Sequence, residues 1–351
     1  MGSGEPLDSV EGTAGLRRAD PAEPGLRRIR HGRGFRYLDE DGEPVRDRRR
    51  LERIRSLVLP PAWDQVWICS DPGGHLQAVG TDSAGRRQYR YHDRWRIERD
   101  RAKHDRVLDF AARLSRVRAQ VSTGLADRGL TRERVFSAVV RLLDLGFFRV
   151  GGESYAAENE TYGVATLLRS HVSCSRTRGQ LVFTYPAKGG AERIQRLTDP
   201  ALCAVVGALR GRSDPSPELL AYWERPHWRG IRAEAINDHL REVFRLEVTA
   251  KDFRTWHATV LAAVGLAACA DVRGDQARRR AVNHAMSEVA RYLGNTPAVA
   301  RQSYVDPRVI DHFEAGRTIA AALTGLGEVT DPGLPATHGR VERAVRRLLR
   351  G

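Results

Sequence analysis

The sequence predicts an α+β protein in which a small β-rich N-terminal domain precedes a larger, mostly α-helical domain that contains a β-hairpin. Between residues 25 and 105, short runs of alternating apolar and polar residues are bounded by turn residues, as is typical of strands. After Arg106, apolar residues recur at helical spacing. With 351 residues, 41% of them hydrophobic, the chain can form two domains with separate cores. We therefore expect a disordered leader (1–24), a β-rich domain (25–105), a helical domain (106–325) and a basic C-terminal tail or helix (326–351).

The N-terminal domain is expected to consist of short strands around one helix. The leader is rich in Gly, Pro, Ala, Asp and Glu and has no periodicity, which is typical of disorder. Residues 35–38 and 44–45 flank an acidic turn and read as a hairpin, while Pro60 and Pro61 end a helical pattern. The expected elements are the hairpin at 35–45, a helix at 51–57 and strands at 66–69, 75–79 and 85–92.

The last of these strands, residues 85–92 (GRRQYRYH), is a candidate nucleic-acid contact. Basic and aromatic side chains alternate along it, so one face can meet phosphates while the other meets base edges. The candidate residues are Arg86, Arg87, Gln88, Tyr89 and Tyr91. An ordinary amphipathic strand would show the same alternation, and both readings stay open.

The helical domain has clear start and stop residues. Thr131 can cap a helix that ends at Gly146, and Thr249 with Asp252 forms a capping box ahead of another helix. We expect helices over 107–121, 131–146, 199–210, 231–244, 250–268 and 277–293, a helix start within 162–168, and a solvated amphipathic helix over 341–349. Residues 181–185 and 194–197 predict the two strands of the hairpin, with Lys188 at its tip.

Charge points to a polyanionic partner. The chain carries 58 Lys and Arg against 44 Asp and Glu, a formal net charge of +14, which favours nucleic acid over a merely basic soluble protein. Lysine is rare and stands only at Lys103, Lys188 and Lys251. A desolvated lysine can give up its proton near neutral pH and an arginine cannot, so these lysines are candidates for proton transfer unless drift has left them there.

Several classes of site are not indicated. The cysteines at 69, 174, 203 and 269 form no CxxC pair and no disulfide framework, so we expect no zinc site and a reducing, cytoplasmic setting. The sequence has no signal peptide and no long apolar run, so no membrane association is expected. It also has no phosphate-binding GxxxxGK[ST] loop, and we expect no metal or other cofactor.

Four stretches supply a set of groups suited to phosphate chemistry. They are FFRVGG (147–152), YPAKGG (185–190), KDFRTW (251–256) and LGNTPAVARQSY (293–304). In chain order they contribute Arg149, Lys188, Lys251 with Arg254, Asn295 and Tyr304. A tyrosine can attack a phosphodiester without a metal ion if guanidiniums stabilise the developing charge and a lysine protonates the leaving oxygen.

These four stretches, the first extended to FFRVGGESY (147–155), give the chain a family likeness together with LPPAW (59–63), GRRQYRYH (85–92) and ENETYG (158–163). From about residue 27 to 317 it resembles the small poxvirus-like and bacterial type IB DNA topoisomerases. No single motif is decisive, but seven occur in the family's order. The resemblance implies two domains that clamp around duplex DNA, a monomeric enzyme, and relaxation of supercoils without ATP or metal. The expected location is the cytoplasm, at the nucleoid.

The resemblance also implies a role for each residue. Tyr304 would be the nucleophile, Arg149 and Arg254 would hold the scissile phosphate, Lys188 would be the general acid, and Lys251 would support the phosphate. Asn295 stands where the poxviral enzymes have histidine, so it can donate a hydrogen bond but cannot carry a charge.

DNA contacts follow the same resemblance. Gln88, Tyr89, Tyr91 and Tyr155 match DNA-contacting positions. The poxviral basic residues after the first catalytic arginine are replaced here by Gly152 and Ser154, which makes the poxviral sequence preference doubtful.

Two other functions remain as alternatives. A site-specific tyrosine recombinase shares the Arg–Lys–Arg–Tyr set, but its second motif reads HxxR where this chain has Lys251 and Arg254, and its LGH is LGN here. A non-catalytic basic DNA-binding protein would be expected to lose one of these residues.

Overall fold

The computed structural model describes residues 15–152, 161–187, 190, 192–324 and 337–351. The chain divides into two compact units, one ending at His104 and the other beginning at Asp105. The first unit is rich in strands and the second is mostly helical, which confirms the predicted α+β class. In the described part of the chain, no helix is both long enough and apolar enough to cross a membrane.

The N-terminal unit is built on a five-stranded antiparallel sheet in the order β2-β1-β3-β4-β5. Helix α1, Arg48–Ser56, begins where Asp47 Oδ1 accepts a hydrogen bond from Arg50 N at 2.7 Å. Side chains of the sheet and of α1 form one small core, which includes Leu26, Ile54 and Ile68. The strands are β1 Leu26–His31, β2 Gly34–Leu38, β3 Asp64–Ile68, β4 Leu76–Thr81 and β5 Arg87–Tyr91.

Two parts of this unit differ from the prediction. Strand β1 was not predicted, because its sequence LRRIRH places arginines between its few apolar residues. Residues 15–24, which fall in the expected disordered leader, contact the sheet unit: Arg17 N donates to Gly73 O at 2.9 Å and His75 N donates to Arg17 O at 2.8 Å. Backbone hydrogen bonds of this kind do not require an apolar pattern in the sequence, which is why composition missed them.

Helix α2, Asp93–Ala126, runs across the boundary between the two units. Its buried apolar side chains begin only at Val107, and the turns before that are charged and largely exposed. The prediction from apolar periodicity therefore began the helix at its first buried turn, after the residue at which the helix begins in the structure.

The second unit surrounds a three-stranded antiparallel sheet, β6-β7-β8, with helices, and also contains a two-stranded ribbon. The predicted hairpin is confirmed, since β7 and β8 pair from Gln180↔Thr198 to Pro186↔Glu192. The strands are β6 Val172–Ser175, β7 Gln180–Pro186, β8 Glu192–Thr198, β9 Ala221–Glu224 and β10 His227–Gly230. The helices are α3 Arg132–Gly146, α4 Pro200–Arg210, α5 Ala233–Phe244, α6 Ala250–Ala267, α7 Asp275–Leu293, α8 Pro297–Ser303, α9 Pro307–Glu314, α10 Ala320–Leu323 and α11 Arg340–Arg350.

The caps predicted for two of these helices are confirmed. Thr131 Oγ1 accepts from Arg134 N at 3.3 Å, and Thr249 N donates to Asp252 Oδ2 at 2.7 Å. The expected helix start within 162–168 is instead a pair of short 3₁₀ turns, Val164–Thr166 and Arg169–His171.

The last helix, α11, is not the solvated element that its arginines suggested. Val341, Val345 and Leu349 are each at most 4% exposed and belong to the main core of this unit. Glu342, on the same helix, is also buried and accepts a hydrogen bond from Trp256 Nε1 at 2.9 Å. Five arginines occupy most of the other positions of this short helix, so its narrow apolar stripe did not indicate that the helix is buried.

Candidate active site

The site is built around the C-terminal end of α7. Gly294 ends this helix in the left-handed conformation, with φ of 62°. Gly294 N donates to Arg291 O at 3.3 Å and Asn295 N donates to Ala290 O at 3.0 Å, which is the Schellman arrangement. The backbone carbonyls of residues 292, 293 and 294 are then left for donors from outside the helix.

Three arginines from three different elements take these carbonyls in succession. Arg193 Nη2 donates to Tyr292 O, Arg254 Nη2 to Leu293 O at 2.8 Å, and Arg149 Nη2 to Gly294 O at 3.2 Å. The partial negative charge at a helix C-terminus favours cations there. Within the described residues, none of the three guanidiniums forms an ion pair with a carboxylate, so no carboxylate of the described part of the chain neutralises their positive charge.

Arg149 is placed by the end of α3. Phe147 leaves that helix in a left-handed conformation, with φ of 53°, and the chain turns toward α7. The first 3₁₀ turn then holds the segment, because Val164 N donates to Arg149 O at 2.9 Å. In this position Arg149 Nη2 also donates to Asn295 Oδ1 at 2.6 Å.

Arg254 joins the ends of two helices. It lies in the second turn of α6, is 3% exposed, and donates through Nη1 to Phe147 O as well as to Leu293 O through Nη2. Burial lowers the pKa of Arg254 to about 10, and the nearby phenol of Tyr304 acts in the opposite direction. The guanidinium therefore stays protonated at neutral pH.

Tyr304 follows α8 directly and is fixed through its backbone. Thr259 Oγ1 donates to Tyr304 O at 3.3 Å and accepts from Asp306 N at 3.1 Å, which ties this turn to α6. The ring faces two cations of α6, with its centroid 5.2 Å from Arg254 Cζ and 5.9 Å from Lys251 Nζ. Lys251 itself is exposed.

The environment of Tyr304 favours its ionised form. Burial alone would raise the pKa of this phenol, but the charge and hydrogen bonding of Arg254, with the charges of Lys251 and Arg149, outweigh that effect. The pKa of Tyr304 therefore lies below its ordinary value of 10.0. A phenol that loses its proton more readily is a better nucleophile near neutral pH.

Asn295 presents an unused donor. Its Oδ1 accepts from Arg149, so its Nδ2 faces away from that guanidinium. Nδ2 is buried and has no acceptor among the residues that the structure describes. A buried donor without a partner costs about 1–3 kcal/mol, and a phosphoryl oxygen would remove that cost.

Most of the predicted catalytic residues thus come together. Arg149, Lys251, Arg254, Asn295 and Tyr304 meet at the ends of α3 and α7 and the start of α6. Lys188 and Tyr155 lie outside the described residues.

Arg193 was missed by the sequence analysis. Arg193 lies on the same face of β8 as the buried Gln195 and the half-buried Leu197. Inward positions of a strand are normally apolar, so an arginine at such a position was the signal in the sequence.

The proposed DNA-contacting strand is β5 of the N-terminal unit. Arg87 and Tyr89 are exposed there, and the ring of Tyr89 stacks on that of Tyr91 with centroids 6.2 Å apart. Gln88 Nε2 and Arg86 Nε each donate to Asp82 Oδ2 at 2.9 Å. Arg87 and Tyr89 are therefore the residues of this strand most available to a ligand.

One cluster has the composition of a metal site but already contains a cation. Among the described residues, Asp144, His257 and His338 place one potential ligand atom each within 4.8 Å of one another. Both oxygens of Asp144 accept hydrogen bonds from Arg118, at 2.8 and 2.9 Å. A divalent ion there would lie against this guanidinium, so we read the cluster as structural.

Two protein families match this chain. The family described as "Eukaryotic DNA topoisomerase I, catalytic core" matches residues 92–319, well over half of the chain. The family described as "Bacterial DNA topoisomerase IB, N-terminal domain" matches residues 34–82.

Viral proteins show the same relationship. "DNA topoisomerase 1B" of Acanthamoeba polyphaga mimivirus is 28% identical over 291 residues, which cover 80% of this chain and 85% of that protein. "DNA topoisomerase 1B" of vaccinia virus (strain Copenhagen) is 22% identical over 256 residues, and "DNA topoisomerase I" of monkeypox virus is 23% identical over 256 residues. Each of these two alignments covers 71% of this chain and 75% of the viral protein. The chain therefore belongs to the type IB DNA topoisomerases, isomerases that act on DNA and relax its supercoils.

Proposed function

We propose that Tyr304 cleaves one strand of duplex DNA by attacking a phosphodiester, and that the strand is resealed by reversal of the same step. The observation that carries this proposal is the position of the Tyr304 ring beside guanidiniums that lack carboxylate partners in the described structure. The phenolic oxygen forms a bond to phosphorus and the bond to the 5′-oxygen breaks. The products are a 3′-phosphotyrosyl enzyme and a strand with a free 5′-hydroxyl.

The pocket stabilises the charge that develops during attack. The pentacoordinate phosphorane carries extra negative charge on its nonbridging oxygens, and Arg149, Arg254 and the free amide donor of Asn295 can meet that charge. Positioned donors of this kind contribute most in sites that exclude water. Because these side chains supply the positive charge, the step needs no metal ion.

The leaving 5′-oxygen needs a proton, and we assign its transfer to Lys188. General acid catalysis of this type accelerates a reaction roughly 10²–10⁴-fold. Lys251 supports the phosphate and, as its distance to the ring indicates, the ionised nucleophile. The phenol proton is released to solvent before attack, which the lowered pKa of Tyr304 makes easier.

The phosphodiester energy is kept in the phosphotyrosyl bond. The free 5′-hydroxyl can therefore attack that bond and expel Tyr304 without ATP. Between the two steps the cut strand rotates about the intact one, and supercoils are lost.

We extend the proposal to the whole protein on the strength of the family resemblance. The two units clamp around duplex DNA, a monomer is the active form, and the enzyme works in the cytoplasm at the nucleoid. In this arrangement the exposed Arg87 and Tyr89 of β5 contact DNA, together with Arg86, Gln88, Tyr91 and Tyr155.

Relaxation of a supercoiled plasmid in EDTA without ATP tests the proposal. We expect the wild type to relax the plasmid and to form a covalent adduct at the 3′ side of the nick. Tyr304→Phe should bind DNA with unchanged affinity and form no adduct. Normal relaxation by Tyr304→Phe would contradict the assignment of the nucleophile, and loss of wild-type activity in EDTA would contradict the metal-free mechanism.

A further inference from the structure

Arg193 lies at the centre of the site but has no role in the mechanism described above. It occupies β8, the second strand of the hairpin, and its side chain reaches the last turn of α7.

The contact between Arg193 and the end of α7 is close. Arg193 Nη2 donates to Tyr292 O, and a Cβ added at Gly294 would lie 2.5 Å from Arg193 Nη1. The left-handed backbone of Gly294 favours glycine, and any larger residue there would also have to displace the guanidinium of Arg193. If Arg193 were displaced, the turn that begins at Gly294 would lose this contact and could move.

That turn carries one group proposed to hold the phosphate and binds another. Asn295 follows Gly294 directly, and Arg149 is bound to both residues, at 3.2 Å to Gly294 O and 2.6 Å to Asn295 Oδ1. Arg149 thus binds the carbonyl of Gly294, while Arg193 packs beside the same glycine and binds the carbonyl of Tyr292. Movement of the turn would displace the unused amide donor and one guanidinium together.

Electrostatics give the second argument. Burial lowers the pKa of Arg193 and its cross-strand neighbour Tyr185 acts against this, while the charge of Arg149 lowers the pKa further. Arg193 is half-buried and forms no ion pair with a carboxylate among the described residues. Holding a third like charge in this cluster is costly without an anion, and a bound phosphate removes that cost.

From this geometry we propose that Arg193 is a positioning residue of the cleavage reaction. It fixes the Gly294–Asn295 turn, and through it Asn295 and Arg149, against the phosphate, and it adds a third guanidinium to the pocket. The proposal rests on the proposed tyrosine mechanism. It places the effect of Arg193 on the phosphate rather than on protonation of the leaving group.

Single-turnover cleavage of a DNA duplex tests this role. The variants are Arg193→Gln, Arg193→Lys and the control Arg196→Gln, which removes the same charge from the exposed face of the same strand. We expect Arg193→Gln to cleave about 10²-fold more slowly, the size of effect that a misplacement of about 1 Å can cause. Arg193→Lys should remain at least about tenfold slow, because a lysine does not reproduce the forked guanidinium. Arg196→Gln should cleave at the wild-type rate.

A 5′-phosphorothiolate substrate separates this role from that of the acid. Sulfur leaves without a proton, so the substrate should restore cleavage by Lys188→Ala. It should leave Arg193→Gln slow, because a sulfur leaving group removes only the need for a proton and does not restore a displaced phosphate contact. Thermal unfolding of each variant establishes that the measured protein is folded, and Arg193→Lys carries the test if the Gln variant does not fold.

Three outcomes would overturn the role of Arg193. They are wild-type cleavage by Arg193→Gln, wild-type cleavage by Arg193→Lys, and restoration of either variant by the sulfur leaving group. Failure of the tyrosine mechanism itself would look different, because the wild type would then form no covalent adduct. An adduct formed equally fast by wild type and Arg193→Gln would remove only the inference about Arg193.

Discussion

At the scale of single residues, the site depends on arginines that, within the described part of the chain, are held by backbone carbonyls and not by carboxylates. Arg254 donates to the carbonyls of Phe147 and Leu293, each at the end of a helix. A carboxylate would orient a guanidinium equally well but would cancel its charge. Carbonyl oxygens and the helix dipole orient the group and leave its net charge for the phosphate.

Lys251 provides a test of how the nucleophile is activated. Its charge lowers the pKa of Tyr304, so Lys251→Met should raise that pKa and move the rising limb of the cleavage rate to higher pH. At neutral pH the variant should cleave roughly tenfold more slowly. This is less than the 10²–10³-fold typical of a buried oxyanion donor, because Lys251 is exposed.

The measurement is the single-turnover cleavage rate at saturating enzyme, taken from pH 6 to pH 10 in steps of about one pH unit, which change the proton concentration ~10-fold each. Lys251→Arg keeps the charge and should keep the wild-type limb. A limb that does not move in Lys251→Met would show that Lys251 does not act on Tyr304.

At the scale of secondary structure elements, α11 supports the helix that carries two catalytic candidates. Arg118 of α2 binds Glu342 of α11 at 2.6 and 2.9 Å and also binds Asp144 of α3. Glu342 in turn accepts from Trp256, which lies two residues after Arg254 on α6. The basic C-terminal helix is therefore joined to the active-site helix through one buried carboxylate.

Glu342→Ala should destabilise the second unit and slow cleavage. Removing one partner of a buried, hydrogen-bonded ion pair costs roughly 3–5 kcal/mol. Denaturant unfolding measures this, and Arg347→Gln on the exposed side of the same helix should change stability by no more than about 0.5 kcal/mol. Equal stability of Glu342→Ala and wild type would mean that α11 does not hold α6.

At the scale of the whole molecule, the two units have separate hydrophobic cores, and the net charge of +14 suits a polyanionic substrate. DNA binding driven by such charge weakens as salt rises, because counterions must be released. The stability of the fold depends on a different set of charges, the buried groups around Arg118.

Acid should destabilise the protein through this buried cluster. Burial lowers the pKa of His338 to about 4, below its ordinary value of 6.5, with Arg118 and His257 acting in the same direction and Asp144 and Glu342 against it. A histidine with a lowered pKa stabilises the fold fully above about pH 6.5, and that contribution is lost as the pH falls toward 4. Burial alone would raise the pKa values of Asp144 and Glu342, but Arg118 and the neighbouring histidines lower them. The fold therefore also loses the stabilising contribution of these two carboxylates when acid protonates them.

Denaturant unfolding between pH 7 and pH 4 measures this dependence. One proton can change the free energy of unfolding by at most ~1.4 kcal/mol per pH unit. His338→Gln should show a shallower loss than the wild type, because it has no imidazole to protonate. An unchanged slope would indicate that His338 is not buried in the neutral form.

The sequence determined the class of fold, the hairpin, the helix caps and most of the candidate site. Each of these depends on a local pattern, such as the spacing of apolar residues, the Thr249–Asp252 capping box, or a glycine at a helix end. The order of the motifs also indicated the family, with Tyr304, Arg149 and Arg254 as candidates for the chemistry.

Only the tertiary structure decided how those groups are held. The pairing of Arg193 with the end of α7 joins residues 99 positions apart, and the contact of Arg118 with Glu342 joins residues 224 positions apart. Neither contact has a local pattern, because a guanidinium can satisfy its donors on any carbonyl or carboxylate that the fold brings within reach. For the same reason the burial of α11 and the hydrogen bonds of residues 15–24 could not be predicted, since both depend on partners far away in the chain.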